Sequence, residues 1–165
     1  MKIRKNDIFL YGRKMLFQML EILYPRRCAV CDEIEVTGKG ICPLCKDKVH
    51  VAGEPACKKC GKPLVDERKE FCTDCGKKHH VYTQGKAVFV YEGGIRNSMY
   101  RFKYGNKREY AEFYANAAVE KYGVWLNKIK AEVLIPIPMY SRKKRLRGYN
   151  QAEVFARELG RKQGF

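Results

Sequence analysis

The sequence predicts an α/β protein in three segments: an N-terminal helix over residues 1–25, a small cysteine-rich domain over 26–80, and the first part of an α/β domain over 81–165. Two observations carry this prediction. All eight cysteines fall in four Cys-x-x-Cys pairs, which is typical of a small domain held by metal or cross-links. Further along, a wholly apolar run at 132–138 precedes a capped helix, as a buried parallel strand of an open sheet would.

The first segment is predicted to be an amphipathic helix. Apolar residues recur at helical spacing from about Asp7 to Tyr24, and Pro25 stops the pattern. We expect the apolar stripe to pack on the rest of the fold; the alternative is a basic anchor lying on a membrane surface. No run of 18 uncharged apolar residues occurs, so no transmembrane helix is predicted.

The cysteine pairs predict two structural zinc sites. A two-residue gap places both sulfurs of a pair on one side of a tight turn, and two pairs supply the four thiolates of a tetrahedral site. With four thiolates on each ion, no coordination position stays open for water or substrate, so the zinc is expected to be structural. The predicted ligands are Cys28, Cys31, Cys42, Cys45, Cys57, Cys60, Cys72 and Cys75.

Other chemistries of paired cysteines fit less well. Disulfides need an exporting context, and no signal peptide is visible. A thioredoxin-type pair is single and lies in a βαβ pattern, which is not found here. Iron–sulfur ligation uses the same four thiolates and stays an alternative. Reduced cysteine pairs without an export signal predict a cytoplasmic protein.

The four pairs also form an internal repeat. Cys28 recurs as Cys57 and Cys42 as Cys72, about 29–30 residues apart, and each stretch between pairs has room for one short hairpin. Each repeat therefore consists of a knuckle (one Cys-x-x-Cys turn), a hairpin and a second knuckle. This is the pattern of a zinc ribbon, and it occurs twice. Sequential pairing of knuckles is the simplest arrangement, and a cross-braced pairing stays open. Gly61 and Gly76 each follow the second cysteine of their pair, where a residue free to take a positive φ lets backbone N–H groups turn toward the sulfur.

The chain is strongly basic. Its formal net charge is +16, and loading two zinc ions on eight thiolates lowers this to about +12. A polyanionic partner is therefore expected: nucleic acid, a phosphorylated substrate or an anionic lipid surface.

The last segment alternates strand and helix patterns. A strand is predicted at 84–91 and a helix at 95–104, and the buried strand follows at 132–138. Asn106 and Asn150 are each followed three residues later by glutamate, which predicts two capped helices. These elements do not complete a sheet covered on both faces, so we expect the chain to be the N-terminal part of a longer protein.

A basic stretch between the second strand and its helix predicts an anion site. Five of the eleven residues from Met139 to Tyr149 are basic. A loop at a strand end beside a helix N-terminus suits phosphate, while a mobile solvated loop is the alternative. Interleaved aromatic and basic residues at 100–104 could also stack bases and hold phosphates. The candidate phosphate- or DNA-binding residues are Lys103, Arg142, Lys143, Lys144, Arg145, Arg147, Gly148, Asn150 and Gln151.

These motifs together resemble a known family. The order is an apolar helix ending in Tyr-Pro-Arg-Arg-Cys, the Cys-x-x-Cys knuckles, Tyr-Glu-Gly-Gly-Ile-Arg from 91, Phe-Lys-Tyr-Gly from 102, Pro-Ile-Pro from 136, and Arg-Gly-Tyr-Asn-Gln-Ala-Glu from 147. It is similar to the ComF (ComFC/GntX-like) family, in which a double zinc ribbon joins a type I phosphoribosyltransferase domain. The resemblance covers nearly the whole chain, and its last motif is the most specific.

The resemblance implies a fold, a function and partners. It implies a phosphoribosyltransferase-like (Rossmann-like) domain and a cytoplasmic protein of natural competence. Such a protein binds incoming single-stranded DNA beside a translocating helicase, with peripheral association to the membrane-bound uptake complex. The family domain also carries a later strand with two acidic residues and a Thr/Gly-rich loop for PRPP and Mg²⁺. That loop does not occur before Phe165, so transferase activity is not expected of this chain, and no catalytic residue is assigned.

Overall fold

The structure is a computed structural model that describes residues 19–20 and 22–164. Six helices are defined in this part of the chain: α1 Pro43–Lys46, α2 Thr73–Lys77, α3 Gly93–Tyr104, α4 Tyr110–Ile129, α5 Ser141–Arg147 and α6 Gln151–Gln163. β-structure in the described residues is limited to three isolated antiparallel bridges, which join Arg27 to Ile34, Val51 to Phe89 and Ala56 to Pro63.

Only the end of the predicted N-terminal helix lies within the described residues. Residues 19–20 and 22–23 are helical, and a bend at Tyr24 precedes Pro25. Their apolar side chains are exposed; Ile22, for example, is 79% accessible. The remainder of the predicted 7–24 helix lies outside the described residues. Across the described helices, none has the length and apolarity needed to cross a membrane.

The two ribbons are compact loops that carry one short helix each. Cys42 caps α1 and Cys72 caps α2, so each helix opens on a cysteine. The hairpins predicted between knuckles are not formed in the described residues; the bridges Arg27 with Ile34 and Ala56 with Pro63 instead span the first knuckle of each ribbon. The backbone between knuckles is therefore organised mainly by turns around the cysteines.

The core lies where α3, α4 and the start of α6 meet the first ribbon. Its buried residues are mostly aromatic, and one of them, Ala29, comes from the first cysteine knuckle. A second cluster of Ala115, Ala118 and Leu159 holds α4 against α6. The other members of the main cluster are Ile95, Phe102, Tyr110, Ala111, Phe113, Tyr114 and Tyr149.

The strands predicted at 84–91 and 132–138 are not formed. The first makes a single bridge at Phe89, and the second has no strand partner among the described residues. The prediction that 132–138 is buried on both faces is wrong, because Val133, Ile135 and Ile137 are 68%, 83% and 79% accessible. Only Leu134 of this run packs on the cluster between α4 and α6. The α/β, Rossmann-like part of the predicted fold is thus not shown, and the described fold is mostly helical.

The basic stretch predicted as a loop is helical. Residues 141–147 form α5, which ends at Gly148 with a left-handed φ of +77°. Arg, Lys and Leu all have favourable helix propensities, so a run of cations at a surface can fold into a helix when solvent screens their repulsion.

The two predicted caps have different outcomes. Asn150 caps α6, and its side-chain oxygen accepts a hydrogen bond of 3.0 Å from the Ala152 N–H. The prediction for Asn106 is wrong, because α4 begins at Tyr110 and Asn106 instead takes a left-handed φ of +54°. Its side-chain oxygen accepts from Arg108 and stabilises the corner between α3 and α4.

Candidate metal centres and nucleic-acid interface

The first metal centre is formed by Cys28, Cys31, Cys42 and Cys45. The four sulfurs all lie within 4.8 Å of one another, and the Cys31 and Cys42 sulfurs are 3.8 Å apart. Four sulfurs at about 2.3 Å from a tetrahedral zinc are about 3.8 Å from each other, whereas a disulfide needs about 2.05 Å. The spacing fits zinc and excludes a Cys31–Cys42 disulfide.

The second centre repeats the first. Cys57, Cys60, Cys72 and Cys75 form the same kind of cluster, with 3.8 Å between the Cys60 and Cys72 sulfurs. The knuckles therefore pair sequentially, and the cross-braced alternative is wrong. Two four-thiolate sites account for every cysteine of the chain, so the residues fit two structural zinc ions.

Backbone N–H groups stabilise one thiolate in each centre. The N–H groups of Val30 and Cys42 both point at the Cys28 sulfur, each at 3.4 Å. Burial raises the pKa of Cys28, but backbone donors outweigh it and lower that pKa to about 7. The same balance lowers the pKa of Cys57 to about 6, whereas burial and neighbouring thiols raise those of Cys45 and Cys75 to about 12. Each site thus has one cysteine whose thiolate is stabilised by backbone donors.

The corner after the first knuckle of each ribbon has the same backbone. The Asp32 N–H donates to the Cys28 carbonyl at 2.9 Å, and the Gly61 N–H donates to the Cys57 carbonyl at 2.8 Å. Both corners are left-handed, with φ of +68° at Asp32 and +75° at Gly61. The prediction for Gly61 is confirmed, while Gly76 does not adopt a positive φ.

The first centre is built into the helical core. The Arg101 side chain, on α3, donates 2.7 Å to the carbonyl oxygen of Val30, between the first two cysteines. The Asp32 carboxylate accepts 2.7 Å from the Tyr110 hydroxyl and lies 2.7 Å from the Lys107 ammonium group. Because these contacts join the first knuckle to α3 and α4, the first metal centre and the helices stabilise each other.

The second centre is held more locally. No residue of the second ribbon belongs to the core clusters that contain the helices, whereas Ala29 of the first ribbon does. Its main support is the chain at 85–87: the Gly85 N–H donates 2.6 Å to the Lys59 carbonyl. A Cβ on Gly61 would lie only 2.6 Å from the Ala87 nitrogen, so no larger residue fits this close approach. The second ribbon is therefore a peripheral unit that is held mainly by its contacts with the segment at 85–87.

The comparison with known families agrees with this geometry. Residues 19–76 match the double zinc ribbon domain. None of the curated proteins and none of the solved structures matches the chain. The double zinc ribbon and its two four-cysteine sites are therefore established by sequence family and structure alike, whereas neither confirms the ComF resemblance or a phosphoribosyltransferase-like domain.

The predicted anion-binding cations lie on one short helix. Arg142, Lys143 and Arg145 of α5 are exposed and form no ion pair with any described residue. Lys144 is also exposed but lies 3.4 Å from the Glu153 carboxylate. The helix presents three uncommitted cations and one that is partly neutralised.

Arg147 differs from the other cations of α5. Its guanidinium lies 4.6 Å from the centre of the Tyr104 ring and donates 2.9 Å to the Tyr104 hydroxyl. A second donor reaches the Gln151 side chain at 3.1 Å. Arg147 is thus fixed against an aromatic ring at the end of α3.

The remaining predicted residues have structural contacts. Asn150 and Gln151 are each 8% accessible; Asn150 also donates to the Ile137 carbonyl, and Gln151 donates to that of Lys103. Gly148 ends α5, and its carbonyl accepts from Arg108. These hydrogen bonds hold α5, α6 and the end of α3 together, and the role of these residues in binding phosphate or DNA stays a prediction.

The aromatic half of this surface was only partly visible in the sequence. Tyr100 and Tyr104 are 65% and 58% accessible, and their ring centres are 5.1 Å apart. Their i, i+4 spacing on a helix is the signal that could have found this pair. We call Tyr100, Tyr104, Arg147 and the exposed cations of α5 the tyrosine–arginine surface.

Proposed function

We propose that the protein binds single-stranded nucleic acid, specifically single-stranded DNA, on the tyrosine–arginine surface, and that the two zinc ribbons hold this surface in shape. The observation that carries the proposal is Arg147 stacked on Tyr104, beside a second exposed tyrosine and three unpaired cations. Sequence-tolerant binding of single strands combines aromatic faces that stack bases with cations that follow the phosphates.

The net charge supports the same partner. A protein that stays near +12 after zinc binding attracts polyanions over the range of the Debye length. Exposed tyrosine rings add a preference for unpaired bases, because the bases of a duplex already stack on one another. The surface therefore favours single strands over duplex DNA and over a simple anionic membrane.

The resemblance to the ComF family gives the proposal its setting. A cytoplasmic DNA-uptake protein would receive a single strand from a translocating helicase, at or near the membrane-bound uptake complex. Transferase chemistry is not part of the proposal, because a PRPP site is built at the strand ends of an open sheet and the described residues 84–164 contain no paired strands beyond one bridge.

The direct test is binding of a labelled oligothymidine to the zinc-loaded protein at several salt concentrations. We expect affinity to fall steeply with salt, by a slope of about 0.7 per phosphate contact on a log–log plot. Replacing Arg142, Lys143 and Arg145 by alanine should reduce that slope by about 2 if each contacts one phosphate. Tyr104→Ala should weaken binding by roughly 5- to 150-fold, the effect of losing one stacked base.

A charge-matched control separates a specific surface from general basicity. The exposed Lys128 and Lys130, at the end of α4, and the exposed Lys39 of the first ribbon are not part of the named surface, so their triple alanine variant should bind nearly as well as the parent protein. Salt-independent binding would contradict the proposal. A protein-interaction function of the ribbons is favoured instead if charge reversal on α5 leaves the biological activity of the protein unchanged while disruption of the ribbons by zinc removal abolishes that activity.

A further inference from the structure

The second ribbon has an open cavity beside its metal centre. The cavity measures about 320 Å³, near the lower end of the usual range for small-ligand sites. Three aromatic side chains, Phe71, His79 and His80, line it together with Lys59 and Lys78. Phe71 is 45% accessible, so its ring faces solvent although the ribbon has little apolar core of its own.

The ring of His80 packs against a neighbouring aromatic side chain. The His80 ring stacks on Tyr82, with ring centres 5.1 Å apart and planes inclined by 28°. The Lys59 ammonium group lies 5.2 Å from the centre of the same tyrosine ring. Aromatic stacking and a cation–π contact therefore fix the orientation of His80 at the cavity wall.

The cavity is positively charged. No carboxylate lines it, and two acidic groups of this ribbon are engaged by other lysines. Lys58 pairs with Glu70, and Lys62 lies 3.8 Å from Asp74. Lys59 and Lys78 form no ion pair with any described residue, so both remain available to an anionic ligand at the cavity.

Two hydrogen bonds also connect the chain after His80 to the metal-binding turn. The Gln84 side chain donates 3.3 Å to the Lys58 carbonyl, and Gly85 bonds to the next carbonyl of the same knuckle. These hydrogen bonds hold the segment that follows His80 and Tyr82 against the metal-binding turn. The aromatic wall and the zinc site are therefore parts of one small rigid unit.

We infer that this cavity is a second nucleic-acid site, in which one base of a single strand stacks between Phe71 and His80 while Lys59 and Lys78 contact its phosphates. The inference rests on the proposed function, since it assigns a second contact for the same ligand. Aromatic faces and unpaired cations around an open pocket are the features that bind unpaired bases. Two contacts on one strand raise the overall affinity, provided that the strand is long enough to reach both.

The test uses the full zinc-loaded chain with fluorescent oligothymidines of 6 and 30 nucleotides. The double variant Phe71→Ala/His80→Ala should weaken binding of the longer strand by tenfold or more, which lies within the range for a lost stacked base. The conservative variant Phe71→Trp keeps an aromatic face and should bind like the parent. Val65→Ala, at a fully exposed position of the same ribbon, is the matched control, and two zinc ions per chain confirm that each variant is folded.

The outcomes separate the two proposals. If the Phe71/His80 variant binds both strands like the parent while Tyr104→Ala weakens binding, the second site is wrong and the proposed function stands. If the parent binds neither strand, the proposed function itself is wrong, and this inference with it. A polyglutamate peptide should compete no better than salt at equal charge; efficient competition would show a site that reads charge alone, such as a site for an acidic protein, and would overturn base stacking.

Discussion

The Arg101 guanidinium donates a 2.7 Å hydrogen bond to the carbonyl oxygen of Val30. Val30 lies between the first two cysteine ligands, and Arg101 lies in the last turn of the α3 helix. One hydrogen bond thus joins a metal-binding turn to the last turn of α3. The same turn carries Phe102, which lies in the core, and Tyr104, which lies on the tyrosine–arginine surface.

Replacing Arg101 by methionine should destabilise the protein by about 1.5–3 kcal/mol, because a charged donor is lost and a half-buried carbonyl is left without it. Thermal or denaturant unfolding of the zinc-loaded protein measures this. The substitution Arg96→Met removes an exposed arginine from the same helix and should change stability by less than about 0.5 kcal/mol. Equal effects of the two changes would show that the contact with Val30 contributes nothing.

Zinc removal should affect the two ribbons unequally. The chain should contain two zinc ions by elemental analysis, and a chelator should unfold residues 26–80 before the helices. We expect the second site to release its zinc first, because only the first knuckle contacts the helices, through Ala29 in the main core cluster and through the hydrogen bond from Arg101 to Val30. Metal binding supplies most of the folding free energy of such small domains.

The matched variants are Cys28→Ser/Cys31→Ser and Cys57→Ser/Cys60→Ser. The Cys57→Ser/Cys60→Ser variant should lose one zinc and keep nearly all its helical circular dichroism. The Cys28→Ser/Cys31→Ser variant should lose one zinc and part of the helical signal as well. A protein with one zinc or none, or equal loss of helix in both variants, would contradict the assignment.

The Asp32 carboxylate should make stability depend on pH in acid. Although burial raises its pKa, the hydrogen bonds from Lys107 and Tyr110 outweigh this and hold the pKa below the ordinary value of 3.8. A lowered folded-state pKa contributes stability that is complete above the unfolded pKa and is lost as the pH falls through the folded value. Asp32→Asn keeps the left-handed corner, which asparagine tolerates, but removes the charge.

We therefore expect Asp32→Asn to be less stable than the parent at pH 6, by about 1–2 kcal/mol for a partly buried charged contact. The difference should shrink as the pH falls below about 3.8. Comparing the two proteins at each pH cancels the common loss of zinc in acid. A difference that grows toward low pH would have the wrong sign for this explanation.

Ser98 and Tyr114 form a buried hydroxyl pair in the helical core. Their oxygens are 2.6 Å apart, and Ser98 is fully buried. Tyr114→Phe leaves the serine hydroxyl without a partner and should cost about 1–3 kcal/mol. Ser98→Ala should have a similar cost, because the buried phenol then loses its partner. The double variant should cost less than the sum of the two changes, and additive effects in equilibrium unfolding would show that the hydroxyls act independently.

The cysteine spacing was sufficient to predict both metal centres. Paired sulfurs in Cys-x-x-Cys turns constrain local geometry so strongly that the eight ligands and the left-handed corner at Gly61 follow from sequence. The choice between sequential and cross-braced knuckles depends on contacts between turns, which spacing does not encode. Only the sulfur distances of the folded chain decide it.

The helical half was less predictable because the same local signals have different outcomes in different tertiary settings. Asn150 and Asn106 both begin a capping-box pattern, yet only Asn150 has a tertiary partner for its side-chain amide, the Ile137 carbonyl, whereas Asn106 takes a left-handed φ. The apolar run at 132–138 reads as a buried strand, but a strand is stabilised only by a paired neighbour. The cations of α5 suggested a loop, although arginine and lysine are good helix formers.

The shared corner of the two ribbons also determines whether one ribbon could replace the other. In the first copy the left-handed position is Asp32, whose side chain reaches Lys107 and Tyr110. In the second copy it is Gly61, where the backbone of the following segment leaves no room for a side chain. The two copies are therefore not interchangeable: a first ribbon transplanted into the second position would collide with the chain at Ala87, while a second ribbon in the first position would lose the carboxylate that Lys107 and Tyr110 contact.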